Sequence, residues 1–354
     1  MSTNTNEETD GFESSQSVPV GVKLGSTRTV LRYPDTTGQT QTIRTLTCLA
    51  TYEDAITGDE RVLFGEQAAA EYPDRVEFML RSGLPEDDER TELARRYFDE
   101  LVETNGVPQD STVVYAIPTI DNEAGLRNLS EVIENSAIGT VEMRSYPESL
   151  CSAIPALGDG VEAVDEVFVA VNMGSTNLEA CAYRRGEQLL PFSTGSVTGN
   201  DVDRRIVNNV EEETQGRVHV DLTTAREYKE EHGDFDDFQP FSDVVQQPGG
   251  GSHEFTIEDS VMDALNWYLD EAVDRVANEF LPDFANEFMK PYQMALSNPV
   301  VVTGGMACLP GLTDEFERRL SAELDREISV VAPPEPDTAA AEGAMRIAER
   351  LTGD

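Results

Sequence analysis

A chain of 354 residues that carries 68 Asp and Glu against 26 Lys and Arg has a formal net charge of −42, a sign that repels nucleic acid and anionic membranes and leaves neither as a direct partner. With 39% hydrophobic residues it is too apolar for a disordered acidic chain, and its length suits two cores better than one. The acid is spread along the whole sequence and the lysines are only Lys23, Lys229 and Lys290, the composition of a protein from concentrated salt, where a short Debye length makes such a surface tolerable.

Residues 1–17 are polar, acidic and rich in Ser and Thr, which predicts a disordered tail. Without a signal-peptide pattern, a membrane-spanning run or an amphipathic apolar face, no membrane anchor is expected. Residues 22–29 then read V-K-L-G-S-T-R-T, and 149 positions later residues 171–178 read V-N-M-G-S-T-N-L. In each copy a β-rich run (18–22; 167–171) leads into Gly-Ser-Thr and a second apolar run follows (30–33; 180–183), the pattern of strand, tight turn and strand. Glycine in such a turn lets the backbone approach a ligand closely, and the turn N–H groups with the Ser and Thr hydroxyls offer donors to an anion. Two phosphate-cradling hairpins imply two related domains closing on one nucleotide; the alternative is two unrelated hairpins that share a tripeptide.

Behind the first hairpin, a turn-rich segment (34–42), β-type residues (43–52), a turn at 56–59, a short strand (62–64) and a helix opening at Gly65 make a small β-rich insertion. A helix over 89–103 buries Leu93, Tyr97, Phe98 and Leu101. Strand (112–117), helix (122–135), strand (140–145), Pro147-Glu148-Ser149 and a small-residue helix to Ala156 alternate as a sheet with crossovers does. Past the second hairpin, Gly199 opens a helix with Asp201 as N-cap, 224–229 lies on another, and 247–252 reads as a glycine-rich loop. The longest amphipathic helix covers 258–280, with a core face of Val261, Met262, Leu265, Tyr268, Leu269, Val273 and Val276. Residues 300–307 are a buried strand running into Gly304-Gly305, where a ring or ribose can lie on bare backbone, followed by a helix over 313–324 and a small-faced helix over 337–351. Cys48, Cys151, Cys181 and Cys308 show neither zinc spacing nor a disulfide framework and read as reduced core residues of a cytoplasmic protein.

In this order the segments resemble the actin superfamily, and within it the filament-forming bacterial and archaeal members such as MreB and ParM, over nearly all of residues 18–352. Residues 20–29 are similar to the first phosphate loop, 169–178 to the second, 301–307 to the adenosine loop, and 114–153 and 337–348 to the two connecting segments. Thr224 to Lys229 is similar to the T-A-x-x-x-K helix of MreB-type proteins, and the acidic composition points to a haloarchaeal member. The resemblance implies an α/β, actin-like (ribonuclease H-like) duplicated two-domain fold with a nucleotide cleft between the domains. Its parts would be the tail 1–17, a first domain 18–158 with an insertion near 41–70, a second domain 159–336 with an insertion near 200–253, and a C-terminal helix 337–354 returning to the first domain.

It also implies ATP or ADP and Mg²⁺ as cofactors, ATP hydrolysis, and self-association into filaments. Nucleotide contacts would come from Lys23, Gly25, Ser26, Thr27, Gly174, Ser175, Thr176, Asn177, Gly199, Glu227, Lys229, Gly304, Gly305 and Met306. Pro147-Glu148-Ser149 is similar to a stretch of ParM whose glutamate orients the attacking water, which makes Glu148 the catalytic candidate; a surface acid beside a proline is the other reading. The superfamily usually carries aspartate where this chain has Lys23 and Asn172. Lys23 is then expected to touch phosphate as a point charge, with the metal held by phosphate oxygens, water and Asn172. The same two departures also fit a non-polymerising adaptor with a degenerate ATPase site. A small-substrate kinase would need an aspartate aimed at a bound hydroxyl, and no candidate is visible.

Overall fold

A computed structural model describes residues 17–158, 160–247 and 251–353; most of the segment 1–17 expected to be a tail, and residues 248–250 of the expected glycine-rich loop, lie outside the described residues. The first hairpin is β1 (Val18–Leu24) and β2 (Arg28–Pro34), with Val20, Val22 and Leu24 pointing into a core. The chain continues through β3 (Thr40–Leu46), β4 (Cys48–Glu53), β5 (Glu60–Phe64), α1 (Gly65–Glu71), β6 (Glu77–Phe78), α2 (Asp88–Asn105), β7 (Ser111–Ile117), α3 (Glu123–Glu134), β8 (Glu142–Pro147) and α4 (Glu148–Leu157). A five-stranded sheet of order β3-β2-β1-β7-β8 results, antiparallel through the hairpin and parallel from β1 to β8.

The second half repeats the plan. β9 (Val167–Met173), buried at every position, pairs antiparallel with β10 (Leu178–Arg184), which pairs with β11 (Glu187–Thr194). After α5 (Gly199–Glu213), α6 (Leu222–His232), the ribbon β12 (Phe241–Gln247) and β13 (Gly251–Ile257), α7 (Ser260–Asp274), α8 (Leu281–Glu287) and α9 (Met289–Ala295), β14 (Val300–Thr303) joins β9 in parallel. α10 (Leu312–Glu323) leads to β15 (Val330–Val331), and α11 (Ala339–Gly353) ends the described chain. This sheet has the order β11-β10-β9-β14-β15, the same as the first.

Two helices join the halves. Leu150 and Ala153 of α4 pack on Phe168, Ala170 and Val301 of the second sheet, while Cys151 packs with Ala340, Ala344 and Ala348 of α11 against Val114 and Ala116 of the first. The contacts are very close. A Cβ on Gly343 would lie 1.8 Å from the Cys151 carbonyl oxygen, and one on Gly21 of β1 would lie 2.0 Å from that of Ala341.

Several local expectations shift. The β-type stretch 43–52 is two strands: β3 stays in the main sheet, and the chain leaves it at buried Thr47, whose N–H donates to Thr27 O at 2.9 Å, so only β4 joins the small sheet β5-β4-β6. The strand expected at 140–145 starts at Glu142 and runs to Pro147. Asp201 is not the N-cap of α5. Extended Thr198 holds that place, accepting from Asp201 N at 3.2 Å and donating to Asp201 Oδ2 at 2.6 Å. Of the stretch 247–252, Gln247 ends β12 and Gly251 and Ser252 begin β13, with Gln247 paired to Gly251, and the rest lies outside the described residues. The long helix starts at Ser260 and opens into wider π-type turns over Arg275–Phe280 before α8, where Pro282 has no N–H for the ladder. Of the cysteines, Cys48, Cys151 and Cys181 are buried but Cys308 is exposed.

Candidate functional site

The two Gly-Ser-Thr turns close in the same way, Gly25 N donating to Arg28 O at 3.2 Å and Gly174 N to Asn177 O at 2.9 Å. A Cβ on either glycine would stand 2.8 or 2.9 Å from that acceptor oxygen, so the turn requires glycine. The turns also face one another: Thr27 Oγ1 donates to Ser175 Oγ at 2.8 Å, and the hydroxyls of Ser26 and Thr176 lie 3.2 Å apart. Gly83 N donates to Ser26 Oγ at 2.6 Å, fixing the first turn from behind.

Lys23 and Asn172 each stand two residues before the turn glycine, so they are equivalent positions of the duplicated hairpin. Both reach one atom. Glu148, the first residue of α4, accepts at Oε1 from Lys23 Nζ at 3.0 Å and from Asn172 Nδ2 at 3.1 Å. Burial works against the Lys23 charge, but the attraction and hydrogen bond of Glu148, with Asp337 and Glu179 adding to it, lift its pKa above the ordinary lysine value. Asn172 Oδ1 turns the other way and accepts from Thr303 Oγ1 at 3.4 Å. Opposite Asn172 in the hairpin register is Glu179, 1% exposed, whose Oε1 accepts from Asn177 Nδ2 at 2.8 Å and Thr119 N at 3.2 Å. Its Oε2 is buried without a partner in the structure, and burial together with the Glu148 charge holds its carboxyl well above the usual carboxylate range.

Beside this cluster lies a cavity of about 290 Å³, near the lower end of small-ligand sites, with a smaller annex of about 50 Å³ reaching Glu148, Asn172, Thr176, Asn177 and Glu179. The main cavity is lined by Gly25, Ser26, Thr27, Gly174, Ser175, Gly199, Gly305 and Met306, and by five cations, Lys23, Arg28, Arg44, Arg226 and Lys229, against two acids, Glu230 and Asp337. Arg28 bridges to Glu230 at 3.0 Å and Arg44 to Asp337 at 2.5 Å. Lys229 and Arg226 share buried Asp203, at 2.6 and 3.4 Å, and Lys229 also donates to Gly199 O at 3.3 Å. The N-terminus of α5 joins the wall at Gly199, its positive dipole end suited to an anion. A wider surface hollow of about 760 Å³ at Val167, Arg184 and Lys290 lies at the far ends of β9 and β10 and gathers none of these groups.

Two expected site residues stand apart. Glu227 is exposed and off the cavity, because the neighbouring positions Arg226, Lys229 and Glu230 form the face of α6 that turns inward. Gly304 is buried behind the wall with φ +90°, where a Cβ would meet Asn172 Oδ1 and Met173 O at 2.6 Å, whereas one on Gly305 would enter open space. Arg28, Arg44, Arg226, Asp203 and Glu179 belong to the site but were not singled out by sequence reasoning; the repeat at 149 residues, extended from Val30 to Glu179, could have flagged the last.

The donor set does not fit a protein-held Mg²⁺, which takes hard oxygen ligands in octahedral geometry. Lys23 and Asn172 offer N–H groups, the two carboxylates beside them, Glu148 and Glu179, are engaged at Oε1 by N–H donors, and among the described residues no cluster of three or more His, Cys, Asp or Glu is arranged for a metal.

Two α/β halves of one strand order, facing each other through paired phosphate-type turns, define the actin-like fold. The chain superposes on MreB5 of Spiroplasma citri, solved bound to ADP, with a TM-score of 0.74 at 16% identity, covering 95% of this chain and 97% of that one. On MamK in its double helical filament the TM-score is 0.73 at 17% identity, covering 94% and 99%. A family model described as Salactin matches residues 17–352, and the sequence is 62% identical to salactin of Halobacterium salinarum over 357 residues, 99% of this chain and 98% of that protein. The chain therefore belongs to the salactin family, in keeping with the haloarchaeal signature of its composition. Among the described residues no helix is long and apolar enough to cross a membrane.

Proposed function

We propose that this chain is an ATP-dependent, polymerising actin-like cytoskeletal protein of the cytoplasm, with nucleotide binding and hydrolysis controlling filament assembly and disassembly. The observation that carries the reading is the cavity. In a chain with 42 more acids than bases, five cations, each paired with a carboxylate, and a helix N-terminus converge on one pocket between two hydroxyl-rich turns, and a polyphosphate could take over those pairings. MreB5 bound to ADP, MreB5 bound to AMPPNP and the MamK filament support the nucleotide and the self-association. The adenine and ribose would lie against Gly305 and Met306, the phosphates between the turns. Mg²⁺, where it accompanies the nucleotide, would ride on phosphate oxygens and water.

Glu148 lines the annex and in this reading would orient an attacking water there; positioning is most of what phosphoryl transfer asks of a protein. Its Oε1 is already engaged by two donors, Lys23 and Asn172, and that observation also favours a second reading, an adaptor that binds nucleotide without turnover or polymer. Phosphate release and light scattering, followed together after ATP is added in concentrated KCl, separate the two. The wild-type chain is expected to scatter and release phosphate. Glu148→Ala is expected to polymerise but to release phosphate at least about 100-fold more slowly, within the range of a lost positioned catalytic group. Unchanged release from Glu148→Ala polymer removes Glu148 from catalysis, and no polymer from wild type with any nucleotide favours the adaptor.

A further inference from the structure

We infer that the Lys23 ammonium is the resident cation of the phosphate site, so that this chain binds a nucleoside triphosphate without needing a divalent metal ion. The inference rests on the nucleotide reading above and concerns how the same cavity handles charge. Its basis is the equivalence of Lys23 and Asn172. At this one register of the duplicated hairpin both halves present N–H donors, and both donors converge on a single carboxylate oxygen, at 3.0 and 3.1 Å. The geometry therefore already binds an anionic oxygen at that point. A phosphate oxygen has the same charge and lone pairs and can take the same donors.

A divalent cation asks for the reverse. It requires lone pairs at about 2.1 Å for Mg²⁺, and here it would face an ammonium and an amide N–H, beside two carboxylates that N–H donors already engage, Glu148 at Oε1 by Lys23 and Asn172 and Glu179 at Oε1 by Asn177 and Thr119. The oxygen that Asn172 does carry is turned toward Thr303. Lys23 also lines both the main cavity and its annex, so a phosphate in either could compete with Glu148 for its ammonium. Its side chain is only 17% exposed, which keeps the ammonium effective in concentrated salt, where exposed charges are screened within a few ångströms. Four further cations line the cavity wall, each paired with an acid (Arg28 with Glu230, Arg44 with Asp337, Arg226 and Lys229 with Asp203), and a triphosphate would compete with those carboxylates for them.

The test is calorimetric titration of ATP into the full chain in concentrated KCl, once with MgCl₂ and once with EDTA, on wild type, Lys23→Met and Lys23→Asp, with circular dichroism to show that each variant folds. Wild-type Kd is expected to differ by less than about tenfold between the two buffers, a gap under about 1.4 kcal/mol. Lys23→Met is expected to bind ATP at least about tenfold more weakly than wild type in EDTA. Lys23→Asp, which supplies a carboxylate at the same register, is expected to bind measurably only with MgCl₂. A wild-type loss of tenfold or more in EDTA overturns the inference and leaves the nucleotide reading standing. Wild-type affinity in Lys23→Met under EDTA also overturns it, and does so even if Lys23→Asp fails to fold. No ATP binding by wild type in either buffer overturns the nucleotide reading itself.

Discussion

The halves of this molecule share a backbone and differ in charge. Both sheets have the same strand order, and both hairpins turn on a glycine whose N–H reaches the residue three positions on. The first hairpin pairs Lys23 with Val30 across its strands, and the second, at the same register, pairs Asn172 with Glu179. The turn geometry repeats because glycine and backbone hydrogen bonds enforce it. The side chains diverge because they face the space between the halves, where each answers to the opposite half and not to its own core. One cation in the first half and one uncompensated acid in the second are the result.

The covering layers differ as well, and the largest predicted effect comes from there. α11 packs on the first sheet and on α4 through Gly and Ala, whereas α7 fills the second core with Leu265, Tyr268 and Leu269. If closeness is what the α4–α11 seam needs, Gly343→Val should cost about 3 kcal/mol, the upper range of overpacking, because its Cβ would overlap the Cys151 carbonyl. Chemical denaturation checks this; a loss below about 1 kcal/mol would mean that the seam relaxes easily.

A second difference lies where the central parallel strand ends. β7 runs into buried Pro118, packed against Gly83, while β14 runs into Gly304-Gly305 and open space. Gly305→Val should weaken ATP by about 100-fold, or about 2.7 kcal/mol, and leave the melting temperature nearly unchanged, since Gly305 has no positive φ and its Cβ meets nothing. Calorimetry and a thermal melt together read both quantities. Wild-type affinity would show that the second half is no more open to the ligand than the first.

The smallest effect sharpens the Lys23 and Glu179 contrast. Burial and the Glu148 charge raise the folded-state pKa of Glu179, so the folded chain holds that proton more tightly than the unfolded one. Its contribution is fully present below the ordinary glutamate pKa and is lost as pH rises through the raised value. Glu179→Gln, which keeps the shape without the charge, should therefore melt higher than wild type at alkaline pH, with the gap closing on acidification. Melts from pH 4 to 9 in constant KCl would show it, and a gap that widens toward acid would reverse the assignment.

The sequence by itself determined the hairpins, the alternation of strands and helices, the Gly304-Gly305 turn and the small face of the last helix. Each is written in contiguous residues, as turn chemistry or as an apolar period, and local backbone preference is enough to read it. Boundaries slipped where a neighbour in space decided them, as at Thr47, where a hydrogen bond to Thr27 ends one sheet and starts another, or at Thr198, which caps α5 in place of Asp201. Glu227 was one position from the cavity-facing Arg226, and on a helix one position is a rotation of about 100°. Only the tertiary structure could show that Lys23 and Asn172 meet on Glu148, that Arg226 and Lys229 share Asp203, or that Glu179 lies buried with one oxygen unpaired. Electrostatic partners are chosen by distance through space and by burial, and those quantities exist only once segments far apart in the chain have packed.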